Sequence, residues 1–328
     1  VPDTREQYTR SEIARRAFPA IHHLEESMKI RYAVPVLAAA ALLTLTGCVT
    51  NTEGEQHEAA DTSGIQPDEA AVALLPDDIK DSGELVLGTD ASYPPNEYKD
   101  SGGEIVGWGV DLASAVAAKL GLEPVWEEAS FDTIIPSIQG GKMNMGSSSF
   151  TDNAERQKTV DFVNFYEAGV LWAAPLGAEI DPNDACGHKV AVQSGTFQHT
   201  DELPAKSAEC EAAGKPAIEI MPFEGQAEAT NAVVLGQAEA FSADSPVTLA
   251  AIAAQSDKIG PSGETFDVAP YGYALAKNAD DPSTPSDLTQ AVQAALQSLI
   301  DDGTYLEILT KAGVEDGAIE EATINAGS

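Results

Sequence analysis

Positive charge is what this sequence has least of. Its 328 residues carry 53 Asp and Glu against 18 Lys and Arg, a formal net charge of -35. A surface so negative cannot replace the counterions of a phosphate backbone, so nucleic acid is excluded as a partner. Aromatic residues are sparse at 6%, which beside such an acid excess could suggest disorder. The apolar residues, 43% of the chain, argue otherwise, because from about residue 84 onward they recur at strand and helix periods. The length allows about two domains. No Gly-x-Ser-x-Gly elbow is present and no histidine lies near the serine run Ser147 to Ser149, so hydrolase chemistry is excluded.

What is present begins with an export signal. Lys29 and Arg31 precede an apolar stretch from Tyr32 to Leu43 that is too short to span a bilayer, and small residues then lead to Cys48. The ending Leu45-Thr46-Gly47-Cys48 resembles a bacterial lipobox, which implies cleavage before Cys48 and lipid on its sulfur. Residues 28–47 are therefore expected to be a lipoprotein signal peptide. Residues 1–27 fit no export signal and are expected to be an over-extended start or an extended n-region. Residues 48–81 are acidic, polar and without period, as expected of a flexible tether. The expected location is the extracellular face of the cell membrane, held there by the lipid. Residues 1–47 hold five of the acids and six of the bases, and beyond Arg31 there is a single arginine, Arg156.

The stretch Glu84 to Asp90 reads as a strand ending on a carboxylate, and Val110 to Gly121 as a helix closed by glycine. A strand leading to Phe131, a short helix containing Pro136, and a strand over "MNMGSSSF" follow. The spacing then predicts a helix over "NAERQKTVDFV". Alternation of this kind means an α/β fold with largely parallel sheets. Ligands of such sheets lie beyond the carboxyl ends of the strands, where Asp90, Tyr93, Phe131 and the Ser-Ser-Ser-Phe-Thr stretch fall. "KVAVQSGTFQ" and "QAEAFSADSPVTLAAIA" repeat the pattern, which gives two α/β lobes, and Asp287 to Gly313 is helical.

The blocks "LVLGTDASYPPNEYKDSGGEIVGWGVDLASAVAAKLG", "FDTIIPSIQGGK", "SSFTDNAERQKTVDFV", "KVAVQSGTFQ" and "AFSADSPV" resemble, in order and spacing, the family 3 solute-binding proteins, the amino-acid receptors of ABC importers. The resemblance covers about residues 82 to 315. With the lipobox and the cysteine pair, it is most like the lipoprotein members from actinobacteria. It implies a periplasmic-binding-protein type II fold, with lobe 1 over 82–168 and 273–318, lobe 2 over 169–272, and a tail over 319–328. Two crossover segments, near Glu167 to Leu171 and Val268 to Tyr273, would join the lobes.

By the same resemblance Arg156 grips the ligand α-carboxylate, for which a planar guanidinium offers two parallel hydrogen bonds. Ser148, Ser149 and Thr151 belong to the stretch that contacts the α-groups, the serine through its backbone. Asp244 pairs with the α-ammonium, and Thr196, Phe197 and Gln198 form the turn whose N–H groups meet the carboxylate. Tyr93 and Phe131 wall the ligand side chain. Asp90 accepts from a side-chain nitrogen, which favours a polar, amide or basic ligand; capping of the next turn is its alternative role. Three departures from the family pattern, Asn96, Trp108 with Gly109, and Phe197, are expected to change pocket shape and polarity.

Cys186 and Cys210, with His188 and His199 between them, fit no common zinc spacing. In an exported chain they are expected to form a disulfide. No metal and no cofactor is expected. The implied partners are an amino acid and an ABC permease, and the chain is expected to be monomeric and not an enzyme. A dehydratase of arogenate or prephenate and a sensing module for a signalling partner are the alternatives.

Overall fold

The computed structural model describes residues 57, 59–60 and 62–328, all within one compact unit. The signal peptide, Cys48 and the start of the tether lie outside the described residues. Among those described, no helix is long and apolar enough to cross a membrane.

Two short helices, α1 (Glu69–Ala73) and α2 (Asp77–Ser82), lead into β1 (Glu84–Thr89). A small antiparallel sheet of β2 (Ser92–Tyr93), β3 (Glu97–Lys99) and β4 (Ile105–Val106) follows, then α3 (Trp108–Lys119), β5 (Glu123–Glu128), α4 (Phe131–Gln139) and β6 (Met145–Thr151). A long strand β7 (Val160–Pro175) leads to β8 (Lys189–Gln193), α5 (Leu203–Ala212), β9 (Glu219–Phe223) and α6 (Gln226–Val234). The chain goes on through β10 (Ala240–Asp244) and α7 (Ser245–Ala254) to a second long strand, β11 (Ile259–Ala276), and ends on α8 (Asp287–Asp302) and α9 (Thr304–Ala312).

The main sheet has the order β5-β1-β6-β11-β7-β10-β8-β9. Its flanks are parallel and its centre is an antiparallel ribbon of β7 and β11, paired from Val160 with Ala276 to Pro175 with Ile259. One end of the ribbon carries β6, at Tyr271 to Leu275, and the other carries β10, at Val170 to Ala173. Each half of the sheet therefore buries its own core. Leu112, Val116, Val292, Leu296 and Leu299 pack on the first half, and Trp172, Val190, Val192 and Leu203 on the second. Gly303, at φ 87, makes the sharp turn that lets α9 fold back after α8.

Two expectations are corrected. The helix over "NAERQKTVDFV" is a 3-10 turn at Arg156–Lys158, and β7 begins at Val160. Val160 to Tyr166 are buried on both faces, so the apolar residues there belong to a central strand and not to one stripe of a helix. The tether expected over 48–81 is folded from residue 62. Asp68 caps α1 by accepting from Ala70 and Ala71 N–H at 2.9 and 3.1 Å, and its other oxygen accepts from Ser298 Oγ at 2.8 Å. Ala71 is fully buried. The tail is tied down as well, because Ile324 bridges to Val163 and Asn325 N–H donates to the Phe162 carbonyl at 3.0 Å.

Cys186 and Cys210 form the expected disulfide, with Cα atoms 5.5 Å apart. Closing its loop stabilises by roughly 3 kcal/mol on the chain-entropy account. The bond leaves neither cysteine a thiolate; His188 Nδ1 faces Glu239 at 3.3 Å and His199 Nδ1 accepts from Gly195 N–H at 3.0 Å.

Behind the second half lies a buried carboxyl. Glu202 accepts from Trp172 Nε1 at 3.0 Å and from Ser242 Oγ at 2.8 Å, and burial pushes its pKa up to about 7. The native state thus holds a proton that an unfolded chain releases near 4.5. Stability from this group is highest at low pH, falls as pH rises from the unfolded value, and levels off above the folded one. Glu202→Gln cannot ionise and should gain on the parent by roughly 1 to 3 kcal/mol between about pH 4.5 and 8. Chemical denaturation across that range tests this, and parallel stability curves would refute it.

Candidate functional site

The carboxyl ends of β1, β6, β8 and β10 converge on one nearly closed cavity of about 10 Å3, and all eleven ligand-site residues expected from sequence line it. Contributions come from both halves of the sheet. Arg156, brought in by the 3-10 turn after β6, donates from Nη1 to the Thr151 carbonyl at 2.8 Å and from Nη2 to the Gly195 carbonyl at 2.9 Å. Thr151 ends a strand of the first half, and Gly195 follows a strand of the second. The guanidinium also lies 5.5 and 5.8 Å from the ring centroids of Phe131 and Phe150, which stack on each other at 4.5 Å. Burial lowers the Arg156 pKa to about 10, against the opposing pull of Asp201 and Asp244, so it stays charged at neutral pH.

Opposite it, Asp244 ends β10 and is 6% exposed. Its carboxylate accepts from the Tyr93 hydroxyl at 2.8 Å and from Gln198 Nε2 at 2.6 Å, and its own N–H donates to Tyr93 at 3.2 Å. Burial raises the Asp244 pKa, and the bonds from its donors, together with the charge of Arg156, oppose that rise. Tyr93 is thus more than an apolar wall, because its hydroxyl links the two halves. Thr196 donates to the Gln193 carbonyl at 2.8 Å, which shapes the turn that carries Phe197 and Gln198.

Asp90 serves the turn and faces the cavity at once. One oxygen accepts from Ser92 N–H and Oγ at 3.1 and 2.5 Å, and the other from Phe131 N–H at 3.0 Å, at the first residue of α4. Its main-chain N–H donates to Ser148 Oγ at 3.0 Å. Burial pushes its pKa up as well, and the bonds from Ser92 and Phe131 pull against it.

Sequence reasoning missed Gln193. It lines the same cavity, and its Nε2 donates across to Asp90 at 3.1 Å. The signal was available, since a polar residue closing the apolar strand "KVAVQ" is 1% exposed. Of the three departures, only Phe197 lines the cavity. Asn96 and Trp108 stand behind it, so any effect they have on its shape reaches it through the wall residues they touch. Behind the wall too lies Glu97, fully buried, whose carboxyl burial holds well above the usual carboxylate range.

Comparison with known proteins agrees with this architecture. The chain is 40% identical over 295 residues to the arginine-binding protein ArgT of Corynebacterium glutamicum, covering 89% of this chain and 95% of that one. An ancestral arginine-binding protein solved bound to arginine superposes with a TM-score of 0.63 at 32% identity, over 70% of this chain and 97% of that chain. A structure of an ancestral arginine-binding protein bound to glutamine gives 0.62 at 32% identity, over 71% and 99%. The model of the bacterial extracellular solute-binding proteins, family 3, matches residues 85–314, and the chain belongs to that family.

Proposed function

We propose that the cavity binds a free amino acid, with arginine the first candidate and glutamine the second, and that the chain delivers it to an ABC permease. The observation that carries this reading is the pair of opposite charges on one cavity, Arg156 from the first half and Asp244 from the second. An amino acid bears both signs on adjacent atoms, so it satisfies both halves together. That differential affinity for the juxtaposed arrangement is what drives closure of two lobes, 82–168 with 273–318 and 169–272, about the β7–β11 ribbon. Names of the relatives narrow the side chain: ArgT is arginine-binding, and the ancestral proteins hold arginine or glutamine. Asp90 supplies an acceptor for either, but its second oxygen already takes the Gln193 amide. A ligand nitrogen there competes with Gln193 for the same site.

Export and a lipid on Cys48 place this capture at the outer face of the membrane. The support is the signal-like stretch before Cys48, in a family of extracellular proteins. Membership in a family of binding proteins also sets the dehydratase reading aside. The sensing alternative has no observation in its favour.

A thermal-shift screen of the twenty amino acids on the folded domain should show arginine raising the unfolding midpoint, since a saturating ligand adds about 3 kcal/mol at a hundredfold excess over Kd. Arg156→Ala should remove the shift of every amino acid, and near-normal binding by that variant would sink the assignment. Asp90→Ala should reorder the preference among side chains; an unchanged order would leave Asp90 as a cap of α4 only. In cells, Cys48→Ala should move the protein from the membrane fraction to the medium, and loss of the chain should reduce uptake of labelled ligand. Unaltered membrane retention would rule out the anchor, and unaltered uptake the delivery role.

A further inference from the structure

Ser149 lies in the cavity wall with φ at 50°. Only Asp267 and Asn325 share a positive φ among the other described residues that are not glycine, and neither lines the cavity. A left-handed backbone costs a serine about 1 kcal/mol or more, so the surroundings must hold it there.

The surroundings are two of the departures from the family pattern. Asn96 Nδ2 donates to Ser149 Oγ at 2.9 Å, and that hydroxyl in turn points at both oxygens of Glu97, at 3.1 and 3.0 Å. The Asn96 amide is itself oriented, because Trp108 Nε1 donates to its Oδ1 at 2.8 Å. Trp108 is 1% exposed and is packed against Tyr166, with ring centroids 4.8 Å apart. Gly109 completes the arrangement, since a Cβ on it would stand 2.3 Å from Glu97 Oε1. Asn96 and Glu97 are both fully buried. The chain of donors runs one way, from indole to amide to hydroxyl to carboxyl, and it passes through the one wall residue whose backbone is left-handed.

We infer that Asn96, held by Trp108, is a positioning residue of the ligand site: with Glu97 it clamps the Ser149 hydroxyl and so fixes the left-handed main chain that Ser149 turns toward the cavity. This rests on the amino-acid-binding reading above. The hydroxyl is engaged on both sides within the protein, so Ser149 meets a ligand through its main chain. Main-chain contacts of this kind serve the α-groups common to all amino acids. Loss of the clamp therefore weakens every ligand alike and leaves the ranking among side chains intact.

The test is a mutant cycle read by calorimetric Kd for the two tightest amino acids of the parent, with circular dichroism confirming that each variant is folded. Asn96→Leu should weaken both ligands about tenfold when Ser149 is present, the loss expected for one buried hydrogen bond, and less than about twofold in a Ser149→Gly background. Ser149→Gly, which adopts a positive φ without help, should also bind more tightly than Ser149→Ala, which loses the hydroxyl but keeps the Cβ. If Asn96→Leu does not fold, Trp108→Phe keeps an aromatic ring there but takes away the N–H that orients Asn96, and should show the same dependence on Ser149. Equal losses in both backgrounds, or Ser149→Ala binding as the parent does, would overturn the inference. A parent that binds no amino acid would instead refute the function on which it rests.

Discussion

A guanidinium shared between two main-chain carbonyls, one from each half of the sheet, is the contact on which the site depends. In a chain of net charge -35, long-range electrostatics repels a carboxylate, and only a local positive charge out of reach of solvent screening can reverse that. Taking that charge out of water costs several kcal/mol unless its donors are met. The structure meets them with the Thr151 and Gly195 carbonyls, and with the faces of Phe131 and Phe150. The fold is arranged to bring these groups together. Thr151 ends β6, Gly195 follows β8, and the β7–β11 ribbon holds the two strand ends opposite each other.

What could be read from sequence was whatever depends on local pattern. Strand ends carrying Asp90 and Asp244, the helix expected over Val110 to Gly121 and found at Trp108–Lys119, and the core spacing of Val292, Leu296 and Leu299 are all set by residues near one another in the chain. What could not be read depends on partners far away in sequence. The polar stretch after Cys48 looks like a tether because the residues it docks on, Lys119 and Ser298, lie far along the chain. The amphipathic "NAERQK" looks like the start of a helix, and only its pairing with Ala276 and its neighbours on β11 makes "VDFVNF" a strand. How Asn96 bears on the pocket could not be read either, because its partner Ser149 lies 53 residues away.

The same distinction separates the residues that line the cavity from those that hold it. Arg156, Asp90 and Asp244 all carry protein partners across the two halves, in Gly195, Gln193 and Tyr93. On the proposed reading binding is therefore an exchange, in which a ligand would replace hydrogen bonds that the protein already makes with itself. A group that cannot replace them loses their full value, because a buried donor left without a partner costs more than the bond it gave up. Selectivity then follows from complementarity at three places. On the proposed reading, a carboxylate would answer Arg156, an ammonium Asp244, and at Asp90 a side-chain nitrogen would have to do better than the amide of Gln193. A small apolar amino acid meets the first two and leaves the third as it stands, so it gains nothing there. A guanidinium brings to Asp90 a fixed charge and several donors, whereas Gln193 brings one neutral amide. On the proposed reading the balance at that end of the cavity turns on charge, and it would favour a cationic side chain over a neutral one.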